Sequence, residues 1–104
     1  MCGRYTLRTP ADALADHFGL PEFPDLGPRN NVAPTQAVPV VRPGGPGGRQ
    51  TVALRWGLVP SWADDPAIGN KLINARAETV AEKPAYRSAF RQRRCLVPAD
   101  GFFE

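Results

Sequence analysis

Hydrophobic and polar positions first alternate over Arg4-Tyr5-Thr6-Leu7, which predicts a short strand. Ala11, Leu14, Ala15 and Phe18 then fall at helical spacing and mark one buried stripe. Thr9 suits the N-cap of that helix, Pro10 its first position, Asp12 its first turn and Gly19 its C′ position. Over residues 20–34 periodicity is lost among prolines, and a loop is expected. Residues 37–42 read as a strand with Pro39 tolerated at an edge, and residues 50–58 as its returning partner. The glycine-rich run 43–48 between them is a flexible hairpin tip. Residues 59–71 read as a loop with Trp62 exposed, 75–83 as a short helical turn and 84–92 as a second helix. Residues 94–97 predict a strand, 99–101 a tight turn, and Phe102-Phe103-Glu104 the opening of a last strand. Together these predict a mixed α+β fold, mainly antiparallel, with short flanking helices.

Composition narrows the picture. With 42% hydrophobic and 22% charged residues over 104 positions, the chain is globular and at most one domain. Charges begin at Arg4 and there is no apolar run of membrane length, so neither a signal peptide nor a membrane partner is expected. Two cysteines, Cys2 and Cys95, and the single His17 form no metal-ligand pattern. The glycine run lacks the lysine and hydroxyl of a phosphate-cradling loop. The expectation is therefore no metal, no cofactor, no disulfide and a reducing cytoplasm. Cys95 is expected to be buried and inert, Trp56 interior, and His17 at the surface.

Charge is unevenly placed. Residues 71–94 hold seven basic side chains against two glutamates, a local +5 within a chain whose net charge is +3. Such a stretch fits a solvated helix face first and a phosphate footprint second on charge alone.

Cys2 follows the initiator methionine directly. If Met1 is removed, an α-amine with pKa of roughly 7.7–8.0 and a thiol of about 8.5 stand on adjacent carbons. That 1,2-aminothiol can attack one aldehyde twice, the amine giving an imine and the thiolate closing a thiazolidine ring. An internal cysteine cannot, because its nitrogen is part of a peptide bond. On position alone Cys2 fits equally a small half-buried residue at a strand start.

Five motifs read together: Met1-Cys2-Gly3-Arg4-Tyr5, Asn31-Val32-Ala33-Pro34, Trp56-Gly57-Leu58-Val59-Pro60-Ser61-Trp62, Ile73-Asn74-Ala75-Arg76-Ala77-Glu78-Thr79 and Ala99-Asp100-Gly101-Phe102-Phe103-Glu104. In this order they resemble the SRAP (SOS-response-associated peptidase) family, whose members process abasic sites in single-stranded DNA. The resemblance runs through residues 1–104 and covers about the N-terminal half of the family's single domain. It implies a β-barrel core, truncated here, and a downstream catalytic histidine that the chain does not reach.

The resemblance also implies roles. Cys2 is the nucleophile after removal of Met1, forming a covalent thiazolidine link to the aldehyde of an abasic site. Glu104 matches the family's glutamate, a carboxylate suited to acid/base work at the sugar. Asn74 matches the asparagine that holds the N-terminal residue, and Arg4 and Arg76 carry over as DNA phosphate contacts. Pro34 and Trp62 would be wedge or stacking surfaces beside the lesion. The implied partner is single-stranded DNA with abasic sites, bound by a monomer in a DNA-damage (SOS) context, nucleoid-associated when engaged. The alternatives are a cysteine peptidase or N-terminal-nucleophile amidohydrolase on other substrates, and a non-catalytic single-strand-binding fragment.

Overall fold

In the computed structural model, which describes residues 2–104, the elements run β1 (Arg4–Leu7), α1 (Ala11–Phe18), β2 (Arg29–Val32), β3 (Ala37–Pro43), β4 (Arg49–Arg55), α2 (Arg87–Gln92) and β5 (Gly101–Phe103). β1 is the middle strand of a three-stranded sheet, with β2 and β5 antiparallel on either side. β3 and β4 form a two-stranded antiparallel hairpin, registered from Ala37 opposite Arg55 to Pro43 opposite Arg49. The fold is α+β with antiparallel pairing throughout, as the alternation predicts.

The period of two in β1 sorts its side chains as expected: Tyr5 and Leu7 are buried while Arg4 faces outward. They join Leu14, Leu20, Phe23, Val32 and the β3 valines in one core. The helical stripe packs there too, with Leu14 buried and Ala11, Ala15 and Phe18 half-buried against it. Gly19 ends α1 at φ 66°, and the following Leu20 N–H returns to the Ala15 carbonyl at 2.8 Å. The left-handed turn and that backward bond are why a glycine stands there.

Several sequence expectations are corrected. Residues 29–32 form β2 rather than loop, because Arg29-Asn30-Asn31 has no alternation of its own and takes strand geometry from β1. β4 stops at Arg55, where the chain turns through Gly57 at φ 134°. The second helix begins at Arg87, after turns that occupy 79–86. The expected strand over 94–97 is one bridge, Leu96 to Val41. Cys95 beside it is exposed, because nothing among the described residues stacks on that outer segment. His17 lies on the surface, edge-on to Phe18.

Thr9 does not cap α1 either. The helix starts at Ala11 without a side-chain cap, and the Thr9 hydroxyl donates instead to the Asp100 carboxylate. That carboxylate also accepts the Arg8 and Thr9 backbone N–H groups. A charged acceptor gathering three donors outcompetes a neutral hydroxyl cap. These donors, the Arg8 amide foremost and the Thr9 hydroxyl next, hold Asp100 below the usual carboxylate range. Its contribution is therefore present above the unfolded-state pKa of about 3.9 and is lost as pH falls through the lower folded value. Asp100→Asn is expected to cost about 1 kcal/mol at pH 7, a drop in Tm of roughly 4–8 °C, since the site is exposed and screened. Thermal melts should show the gap between variant and parent closing toward pH 2–3.

Candidate active site

Cys2 sits two residues before β1, half-buried and packed against the core, with its thiol donating to the Arg4 carbonyl at 3.4 Å. Across 72 positions of sequence, the Asn74 side-chain amide donates to the Cys2 carbonyl oxygen at 2.7 Å. This bond ties the N-terminal residue to the segment after the 3₁₀ turn Pro66–Asn70.

How Asn74 reaches that point is a matter of backbone. Gly57 and Gly69 approach so closely that a Cβ on Gly57 would lie 2.5 Å from the Gly69 carbonyl oxygen. Three consecutive residues are then each fixed by one hydrogen bond. The Leu58 N–H donates to Leu72 O at 3.0 Å, the Trp56 indole to Ile73 O at 3.1 Å, and the Tyr86 hydroxyl to Asn74 O at 2.6 Å. Trp56, expected in the interior, is half-buried at the edge of the core and tilts against Tyr5 with ring centroids 5.4 Å apart. With both carbonyl and side chain engaged, Asn74 has little freedom left.

The sheet register supplies the carboxylate. Arg4 pairs with Phe103, so Glu104 follows β5 at the end of the sheet where β1 begins. Arg4 is exposed and its guanidinium donates to the Asn31 side chain at 3.0 Å. Of the candidate residues, Cys2 and Asn74 are joined directly, while Arg4 begins β1 and Glu104 follows the strand paired with it.

The other three candidate residues attach more loosely. Arg76 is exposed and makes only a 3.8 Å pair with Glu78, a contact worth little in water. Trp62 is 58% exposed, its indole donating to the Pro84 carbonyl at 3.4 Å. Pro34 is half-buried, next to Thr35 at φ 72°, whose N–H donates to Trp56 O at 2.9 Å. Among the described residues neither the Arg76 nor the Trp62 side chain bonds to Cys2 or Asn74.

The Tyr5 hydroxyl is buried without a hydrogen-bond partner among the described residues. Burial raises its pKa above the ordinary value; the positive charge of Arg29 opposes this and Cys2 adds to it. A hollow of about 670 Å³ lies between α1 and residues 23–29 and is lined by none of the candidate residues. Among the described residues no group of three His, Cys, Asp or Glu could hold a metal ion, and no helix is long and apolar enough to cross a membrane.

The family model for SOS response associated peptidase (SRAP) matches residues 1–104. The chain belongs to the SRAP family. Among its relatives are the abasic site processing proteins YoaM of Bacillus subtilis, 47% identical over 107 residues, and YoqW of Bacillus phage SPbeta, 45% identical over 107. Each match takes in 100% of this chain and 47% of the relative. The abasic site processing protein HMCES of Rattus norvegicus is 33% identical over 127 residues, taking in 100% of this chain and 36% of its own. The chain thus spans about half the length, or less, of the curated relatives it matches. No solved structure gives a significant match.

For this SRAP chain, sequence reasoning missed the supports. Tyr86, Asn31 and the Gly57–Gly69 contact position the site, yet Tyr86 gives no local signal and reads only as a helix-start aromatic. Gly57 has one: it falls inside the strand expected over 50–58, and a glycine within a strand often marks a close backbone approach.

Proposed function

We propose that this chain processes abasic sites in single-stranded DNA by covalent capture through Cys2. The observation that carries the reading is the 2.7 Å bond from Asn74 to the Cys2 carbonyl, which anchors the residue bearing the nucleophile. The relatives' role in abasic-site processing supports the substrate class.

Hydrolysis of the Met1–Cys2 bond, which lies partly outside the described residues, consumes one water and frees the Cys2 amine. The amine adds to the aldehyde carbon of the ring-opened sugar, giving a carbinolamine. Glu104, one residue beyond β5, gives a proton to the departing hydroxyl, which leaves as water. The Cys2 thiolate then adds to the imine carbon, and the nitrogen takes up a proton. Capture therefore releases one water, and one carbon carries both new bonds. Asn74 fixes the nucleophile without titrating. Arg4 and Arg76 neutralise flanking phosphates, so binding weakens as salt rises. Trp62 and Pro34 offer surfaces to the neighbouring bases.

Two arms test the reading. A strand whose aldehyde has been capped with methoxyamine should give no adduct on a denaturing gel, where the uncapped strand does. Asn74→Ala should slow adduct formation by about 10²-fold, the cost of a loosened reacting group, while leaving affinity for undamaged strand unchanged. Equal adduct from the capped strand would sink the proposal.

A further inference from the structure

The turn that carries Pro34 is tied down at Ala33, Thr35 and Gln36. These four residues form a β-turn, closed by the Gln36 N–H on the Ala33 carbonyl at 3.3 Å. Proline second and a positive φ third is the type II pattern, yet Thr35, not glycine, holds φ 72°. Such a backbone persists only where its surroundings over-determine it. Two bonds to Trp56 do part of this: Thr35 N–H donates to Trp56 O at 2.9 Å, and Trp56 N–H to Gln36 O at 3.0 Å. The Gln36 side chain does the rest. Its Oε1 accepts the Ala33 N–H at 3.0 Å and the Arg29 guanidinium at 3.0 Å. The second arm of Arg29 donates to Ala37 O at 2.9 Å. Both partners of Oε1 are donors, so the carbonyl end of the amide, not its NH₂ end, must face them.

We propose that Gln36 is a positioning residue for abasic-site capture: clamped by Arg29, it fixes where Pro34 stands against the base beside the lesion. The inference rests on the reading of Pro34 as a surface offered to that base. Among the described residues Gln36 bonds to neither Cys2 nor Asn74, so it acts through the turn. The clamp runs outward, from half-buried Arg29 to exposed Gln36, and brackets half-buried Ala33 and Pro34. A proline on a loose turn gives way to a base; on a bracketed turn the base yields instead. Trp56 also ties this turn to the nucleophile's support, because its indole holds Ile73, the neighbour of Asn74.

The base itself can report. In a Cys2→Ala background, where ring closure is impossible, a single strand carries 2-aminopurine beside a tetrahydrofuran lesion. Saturating binding should raise its fluorescence, because the proline displaces it from its stack. Gln36→Leu keeps the size of the side chain but accepts neither bond, and should remove most of that rise. Gln36→Glu keeps an acceptor oxygen for both donors, charge-assisted toward Arg29, and should restore it. Arg29→Lys, a point donor in place of a fork, should fall between, and carries the comparison should Gln36→Leu melt early. With Cys2 present, Gln36→Leu should slow capture of an abasic strand about tenfold and leave capture of free glycolaldehyde unchanged. A rise in Gln36→Leu and Arg29→Lys equal to that with Gln36 and Arg29, or no rise in any of them, would overturn the inference. So would a loss that Gln36→Glu fails to restore, or slowed capture of glycolaldehyde, which would place the damage at the nucleophile. The fluorescence arm has no covalent step, so a failure of Cys2 chemistry would be seen separately on denaturing gels.

Discussion

Cys2→Ala should eliminate every adduct that survives heat and denaturant on an abasic strand. The loss is expected to be complete because the thiol is irreplaceable in ring closure. Alanine at position 2 leaves an α-amine that can still form an imine, but nothing follows to lock it. Borohydride should therefore trap a linkage in the variant that untreated samples lose on denaturation. Stability should change little: Cys2 is only half-buried, and its thiol makes one long contact at 3.4 Å. Denaturing gels run with and without borohydride, beside a thermal melt, check both halves. Persistence of an untrapped adduct in Cys2→Ala would transfer the chemistry to another residue.

Gly57→Ala should unsettle fold and site together. At φ 134° an L side chain is strained, and the added Cβ would meet the Gly69 carbonyl oxygen at 2.5 Å. Gly69 cannot retreat easily. It is buried, and its own α-carbon faces Val59 and the Gly57 and Leu58 carbonyls at 3.0–3.3 Å from any Cβ position. Backbone strain and overpacking each cost about 1–3 kcal/mol, so a total of roughly 2–6 is expected. Against a domain stability of about 5–15 kcal/mol that is a large fraction, and Tm should fall by at least about 10 °C. Because Leu72, Ile73 and Asn74 hang from this contact, adduct formation should fall even at temperatures where the variant remains folded. Gly3→Ala is the control, since a Cβ there meets nothing within 4 Å. Calorimetry on the two variants separates strain from the mere loss of a glycine.

Local signals in the sequence were read well where the determinant was local. The α1 stripe, the Gly19 terminus and the hairpin tip each follow from residues a few positions apart, and each forms as expected. What escaped depends on partners far along the chain. Thr9 was assigned a cap because Asp100, 91 positions away, is invisible to a local window. β2 has no strand pattern of its own, and Cys95 lies exposed in an apolar run whose one ladder contact is the Leu96–Val41 bridge among the described residues. The site divides in the same way. The reactivity of an N-terminal cysteine can be read from its position, whereas the attachment of Asn74 to Cys2 came only from the ordered motifs. The Tyr86 and Gly57–Gly69 supports are not legible in the sequence, because a hydroxyl's target and a backbone contact leave no periodic trace.

Intact mass spectrometry after incubation with an abasic oligonucleotide tests the central claim most directly. Capture through Cys2 predicts a single species equal to the chain without Met1, plus the oligonucleotide, less one water. An adduct that retains Met1, or no adduct from a chain shown to have lost it, would contradict the account.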